Sequence, residues 1–354
     1  MVAGAGPVHR GPHGHVDPGA PDASPGYPPP VSLEIDRVTK RFAATLALDA
    51  LTFDVPRGEI FGFLGANGAG KTTTMRICLG ILQADSGAVR WNGIPAVELP
   101  RRTWGYLPEE RGLYPRMPVL DQLVYFASLY GQPADTARRA AMGWLERFLI
   151  ADMAGRRAEE LSKGNQQKVQ FIAAILHGPQ ILLMDEPFTG LDPVNLGILR
   201  EAFLELRNDG RTLVFSTHQM EAAEALCESV AIIDRGRVVA GGTVAGLKRA
   251  SGRRSIRLGL DGEVMPGWLS GLPGVVALHP RAGHVELDLG PNAEPSGILA
   301  AIVGRGAAVT RFEVAEPSLE ALFIEYVGRS PDVATPPAEI APETAEARPT
   351  AGLA

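Results

Sequence analysis

"EIFGFLGANGAGKTTTMRICLGIL", residues 59 to 82, decides how the rest of the chain is read. It carries the spacing G-x-x-x-x-G-K-[ST] from Gly65 to Thr72. An apolar strand candidate ends at Leu64, and a helical pattern follows in which Met75, Cys78, Leu79 and Leu82 share one face. Glycine at 65, 68 and 70 lets the backbone bend until successive N–H groups face a phosphate. Lys71 adds a point charge for the outer phosphates, and Thr72 offers a hydroxyl to Mg²⁺. Gly65, Ala66, Asn67, Gly68, Ala69, Gly70, Lys71, Thr72 and Thr73 are therefore read together as a phosphate-binding loop. The rival is a glycine-rich turn without a ligand, and Lys-Thr-Thr at the helix start argues against it.

Two further stretches carry chemistry. In "ILLMDEP" an apolar run delivers Asp185 and Glu186 to the exit of a buried strand, where Asp185 suits a metal shell and Glu186 suits a group that polarises water. "TLVFSTH" ends in His218, and parallel strands lying side by side bring its carboxyl end to the same crevice, which points His218 at the terminal phosphate. Alternation of short apolar runs with helical patterns from Val31 to about Leu247 predicts an α/β layer of parallel strands covered by helices. After "KRASGRR" the texture becomes period-two, with Ile256, Leu258, Leu260 and Val285, Leu287, Leu289. "PSGILAAIVGRG" then reads as a helix, "AVTRFEV" as a strand, and Leu319, Leu322, Phe323 and Tyr326 recur at helical spacing, so residues 253–328 form a small α+β domain, ferredoxin-like in order.

Composition removes other classes. The chain has 354 residues, enough for two domains, and 34 basic against 40 acidic side chains, so no polycation stands ready for nucleic acid. Two cysteines in apolar stretches, Cys78 and Cys227, exclude a disulfide framework. No uninterrupted apolar run reaches about 18 residues, so the chain is not expected to cross a membrane. Residues 1–30 and 329–354, rich in Gly, Pro and Ala, are expected to be disordered, with His9, His13 and His15 idle in the first.

"LSKGN", residues 161 to 165, opens a helix yet holds no nucleophile, acid/base pair or metal cluster. With the phosphate loop, the Asp-Glu pair and the strand-end histidine in place it becomes intelligible. Over residues 31 to about 247 the chain resembles the ATP-binding subunits of ABC transporters, whose signature reads L-S-G-G-Q. The resemblance implies a P-loop cassette with a helical subdomain at about 106–158, ATP as substrate, Mg²⁺ as cofactor, and two cassettes paired head to tail as a homodimer. In that pairing Ser162, Lys163 and Gly164 of one copy meet the terminal phosphate held by the other, and a helix start with free N–H groups is a place for an anion. Phe42 matches the aromatic position that stacks on adenine, and Asp192 in "GLDP" the turn that crosses the dimer seam.

Two positions depart from the family. Glu109 stands where a glutamine usually touches the metal, and Lys163 replaces the first signature glycine, a cation that would offset the acid. Both, with the ending "EPSLEALFIEYVG", are similar to bacterial exporter ATPases of the sodium-efflux and antibiotic-resistance kind. The resemblance implies a permease on another chain and a cytoplasmic position at the inner face of the membrane. Ribosome-acting cassette ATPases usually carry two cassettes per chain, and chromosome-maintenance ATPases need a coiled coil between loop and signature. Here about 90 residues without heptads intervene.

Overall fold

The β3 strand (Ile60–Leu64) shows how the chain is layered. Its side chains alternate, Phe61 and Phe63 entering one hydrophobic cluster and Ile60 and Leu64 another, because successive residues of a strand face opposite sides. The computed structural model describes residues 31–331 and 333, apart from 111, 253, 262–266, 282, 291 and 332. The first expected tail with its three histidines, and the second beyond residue 333, lie outside the described residues.

In chain order the elements before it are β1 (Val31–Phe42) and β2 (Thr45–Pro56); after it come α1 (Lys71–Cys78), β4 (Ser86–Trp91), β5 (Ile94–Pro95) and β6 (Trp104–Leu107). Next are α2 (Val119–Leu129), α3 (Ala134–Arg147), α4 (Lys163–Ile175), β7 (Ile181–Asp185), α5 (Pro193–Asn208) and β8 (Thr212–Thr217). The chain continues through α6 (Met220–Leu226), β9 (Ser229–Asp234), β10 (Arg237–Thr243), α7 (Val244–Ala250), β11 (Arg254–Leu260), β12 (Val275–Arg281), β13 (His284–Leu289), α8 (Pro295–Gly304), β14 (Val309–Ala315) and α9 (Leu319–Val327).

The central sheet has the order β10-β9-β3-β8-β7-β6, parallel from β9 to β6, with β10 antiparallel at one edge. Every residue of β3, β7 and β8 is buried, as parallel strands covered on both faces must be. One face packs against the antiparallel sheet β2-β1-β4-β5. The other packs beneath α4, α5 and α6, where Phe171, Phe188, Phe203 and Phe215 meet with ring centroids 5.1–5.8 Å apart. Each such buried ring is worth roughly 1.5–3 kcal/mol over an exposed one. Val119 and Leu123 of α2, with Ala137, Ala141 and Leu145 of α3, recur at four-residue spacing and bury in the same cluster.

Beyond α7 the antiparallel sheet β12-β13-β11-β14 carries its own core with α8, including Ile256, Leu258, Leu287 and Ile302. α9 does not join it. Leu319, Leu322 and Phe323 are fully buried in the cluster beneath α6, and the α9 backbone is anchored there by Leu319 N donating to Glu224 Oε2 at 2.8 Å. Glu224 also takes Lys248 Nζ at 2.5 Å. Just past α9, Arg329 pairs with Asp234.

Candidate functional site

The loop from Gly65 to Gly70 is forced by its surroundings as much as by its sequence. A Cβ at Gly65 would sit 2.8 Å from Ile233 O, and one at Gly70 would sit 2.9 Å from Ala47 O at a backbone φ of 111°. Only glycine fits there. Gly65 N donates to Thr217 O at 3.3 Å, tying the loop to the end of β8. α1 then begins at Lys71 with no side-chain cap, so its first N–H groups point into the cleft for an anion to take. Met75, Cys78 and Leu79 bury on one face as expected; the helix itself stops at Cys78, and Leu82 reaches the same cluster after the turn at Gly80.

Lys71 is 6% exposed, its Nζ donating to Gly65 O at 2.6 Å and lying 3.6 Å from Glu186 Oε1. Burial pulls its ammonium down, against the pull of Glu186, Asp185 and Glu109. Asp185 closes β7, and its Oδ1 accepts a hydrogen bond from Ser216 Oγ. Glu186 follows with φ of 50°, a left-handed conformation that non-glycine residues adopt at a cost. Its N–H is held by Ser216 O at 3.1 Å, and its carboxylate meets Thr217 Oγ1 at 3.2 Å and His218 Nδ1 at 2.8 Å. Glu109 stands just beyond β6; burial, then the nearby Asp185 and Glu186, raises its carboxyl above the usual range.

Lys71, Glu109, Asp185 and Glu186 face a cavity of about 440 Å³, the size of a small-ligand site. It is lined by Thr45–Ala47, the loop residues Asn67, Gly68, Gly70, Lys71, Thr72 and Thr73, and by Glu109, Asp185, Glu186 and Arg235. Asp185 Oδ2 is buried without a hydrogen-bond partner, although buried carboxylate oxygens are nearly always satisfied. With the Thr72 hydroxyl and Glu109 facing the same space, that donor set fits a hard divalent cation such as Mg²⁺.

Ser216, Thr217 and Arg235 are residues of this site that no sequence motif marks. The Ser-Thr pair at the end of an otherwise apolar strand was a usable signal. Arg235, in a short turn, offered none.

His218, Phe42, Ser162, Lys163, Gly164 and Asp192 do not line the cavity, although His218 bonds Glu186 in its wall and Phe42 pairs with the lining residue Thr45. Phe42, at the end of β1, is 44% exposed, with Lys40 Nζ 5.6 Å from its ring centre. Ser162 caps α4, its Oγ accepting from Asn165 N at 3.3 Å, and Ser162 and Lys163 are exposed. A Cβ at Gly164 would be 3.3 Å from Asn195 Nδ2, so the starts of α4 and α5 lie together. Asp192 caps α5 by accepting from Val194 N at 3.0 Å and Asn195 N at 2.9 Å, which holds its carboxyl below the usual range. α4 also reaches both acidic loops: Gln167 Nε2 donates to Pro187 O at 3.1 Å and Gln170 Nε2 to Glu110 O at 3.0 Å.

Comparison with known proteins gives the family. Residues 48–189 match the family described as ABC transporter, and residues 242–327 match the family described as ATP-binding protein DrrA1-3-like, C-terminal domain. An uncharacterized ABC transporter ATP-binding protein, YhaQ of Bacillus subtilis (strain 168), is 45% identical over 84% of this chain and 98% of its own length. The Nod factor export ATP-binding protein I of Paraburkholderia xenovorans (strain LB400) is 37% identical over 62% of this chain and 73% of its own. A solved structure of an ATP binding subunit of an ABC transporter superposes with a TM-score of 0.59 at 33% identity, covering 62% of this chain and 93% of that one.

Proposed function

The chain belongs to the ATP-binding proteins of ABC transporters, ATPases that serve transport systems, and on that footing we propose that it drives an export permease encoded on another chain through ATP-driven pairing of two copies. Export is supported by the Nod factor export relative and the DrrA-like C-terminal match. Among the described residues no helix is long and apolar enough to cross a membrane, which fits a cytoplasmic subunit held at the inner face by its permease.

The observation that carries the pairing is the separation of the two halves of the site. Lys71, Asp185, Glu186 and Glu109 line one cavity, while Ser162, Lys163 and Gly164 sit at an exposed helix start that lines none of it. A second copy, turned head to tail, supplies those N–H groups and the Lys163 charge to the triphosphate. Asp192 then lies at the seam, and Phe42 stacks on the adenine.

An arriving triphosphate competes with Gly65 O, Ala66 O and Glu186 for Lys71, and the loop N–H groups take the inner oxygens. Thr72, Asp185 and Glu109 would hold Mg²⁺, which when bound supplies positive charge to the outer phosphate oxygens. Glu186, released from Lys71 and still oriented by His218 and Thr217, accepts a proton from water as the water oxygen bonds to the terminal phosphorus and the bond to the ADP oxygen breaks. His218 also donates to the terminal phosphate in this reading, which its bond to Glu186 supports. Light scattering of the Glu186→Gln protein with ATP and Mg²⁺ tests the reading: a dimer is expected. A chain that stays monomeric, both alone and beside its permease, overturns it.

A further inference from the structure

We propose that Arg235 is a second ligand-binding cation of this site, meeting the inner-phosphate and ribose end of the nucleotide while Lys71 serves the outer phosphates. The inference rests on the nucleotide-binding reading above and adds a residue to it.

Arg235 lines the same cavity as the phosphate loop. Among the described residues, the charged ones around that cavity are two cations, Lys71 and Arg235, and three carboxylates, Glu109, Asp185 and Glu186. Lys71 is buried and already engaged by Gly65 O, Ala66 O and Glu186. The guanidinium of Arg235, by contrast, keeps 56% of its side chain in solvent, with Asp234 Oδ2 at the long distance of 3.8 Å from Nε. It can meet an incoming anion without breaking a buried bond, and its planar fork suits phosphate oxygens and ribose hydroxyls.

Topology decides which end of the ligand it meets. In the order β10-β9-β3-β8-β7-β6 the phosphate loop leaves β3, Arg235 sits on the β9–β10 turn to one side, and Asp185, Glu186 and Glu109 leave β7 and β6 on the other. The carboxylates thus flank the end of the loop where Lys71 pairs with Glu186. Arg235 flanks the opposite end, with Thr45, Leu46 and Ala47 beside it, next to Phe42.

The turn is also held rigidly. Gly236 N donates to Ala69 O at 3.0 Å, and Asp49 N donates to Gly236 O at 3.0 Å. A Cβ at Gly236 would lie 2.5 Å from Ala47 O. Arg237 is fixed by its Nε on Asp49 Oδ2 at 2.7 Å. The two turn residues have φ of 47° and 74°, the pair of left-handed conformations that a two-residue hairpin usually gives to Asn-Gly or Asp-Gly. Arginine is an uncommon occupant there, and the strain it bears is of the sort retained where a side chain has a task.

The test is equilibrium binding of ATP and of ADP to the full chain, with Arg235→Ala, Arg235→Lys and Lys71→Ala. Arg235→Ala is expected to weaken ATP and ADP by the same factor, about 3- to 10-fold for an exposed charge-assisted contact, with Arg235→Lys between it and the parent. Affinity should also fall less steeply with salt in Arg235→Ala. Lys71→Ala should instead weaken ATP more than ADP. Unchanged affinity for both nucleotides in Arg235→Ala, or weakened ATP with ADP untouched, overturns the assignment. If the parent chain binds neither nucleotide, the fault lies with the site reading itself. Thermal melting without nucleotide should move little, since the Arg235 side chain is more than half exposed and its Asp234 contact is long, and a shift in melting alone would mark a structural residue.

Discussion

His218 Nδ1 lies 2.8 Å from Oε1 of Glu186, on the side of that carboxylate opposite the Thr217 hydroxyl at Oε2. The acid is thereby held in one orientation at a strained backbone position, with Lys71 3.6 Å away. Glu186→Gln keeps the shape and most of the contacts while removing the base. Turnover should drop at least about 100-fold, with ATP affinity retained, in a steady-state phosphate-release assay paired with nucleotide binding. Normal hydrolysis by this variant would move the base elsewhere.

Lys163 projects from the exposed start of α4. If it helps neutralise the partner's nucleotide, Lys163→Ala should weaken ATP-driven dimerisation by about 3- to 10-fold and leave the affinity of a single chain for ATP alone. Sedimentation against ATP concentration reads the first effect. An unshifted dimerisation curve discards the role.

Asp192 is a helix cap by its hydrogen bonds and a seam residue by proposal. Asp192→Ala should lower the midpoint of denaturant unfolding, whereas Asp192→Asn, which still caps, should move it little. The seam role predicts that Asp192→Asn nevertheless lowers ATPase activity. A fully active Asn variant would leave Asp192 as a cap only.

Glu224 joins three helices, taking Lys248 Nζ of α7 and Leu319 N of α9 from its place on α6. Glu224→Ala strands both donors in partly buried positions, and a loss of about 1–3 kcal/mol is expected. Limited proteolysis should then cut faster ahead of α9. Cleavage at the parent rate would show that Leu319, Leu322 and Phe323 hold the helix by packing alone.

His177 supplies the pH dependence. Its ring stacks on Tyr130 at 3.8 Å, Nε2–H donates to Trp104 O at 2.9 Å, and Nδ1 is buried without a partner. Burial pushes the imidazole below its ordinary value. The native state therefore favours neutral His177, so its contribution is complete above the ordinary value of about 6.5 and is lost as pH falls through the depressed one. His177→Phe should flatten the melting temperature below about pH 6.5. A slope equal to that of the parent would refute the assignment.

The motifs were legible because phosphate chemistry dictates local sequence. Gly65 and Gly70 are demanded by close backbone approach, and β3, β7 and β8 are buried throughout, with largely apolar sequences, because both their faces are covered. Ser216 and Thr217 stand out in the sequence as a polar pair closing an apolar strand, but their partners do not, since their bonds run across strands to Asp185 and Glu186.

By itself the sequence determined the cassette, its phosphate loop and the acids that face it, for each is written within a few consecutive residues whose conformation follows from glycine freedom and strand-end exposure. Tertiary structure alone decided that Arg235 joins that cavity and that α9 leaves the C-terminal sheet to pack under α6. Both depend on strand order and on which apolar face finds cover, contacts between residues far apart in the chain that no local pattern records.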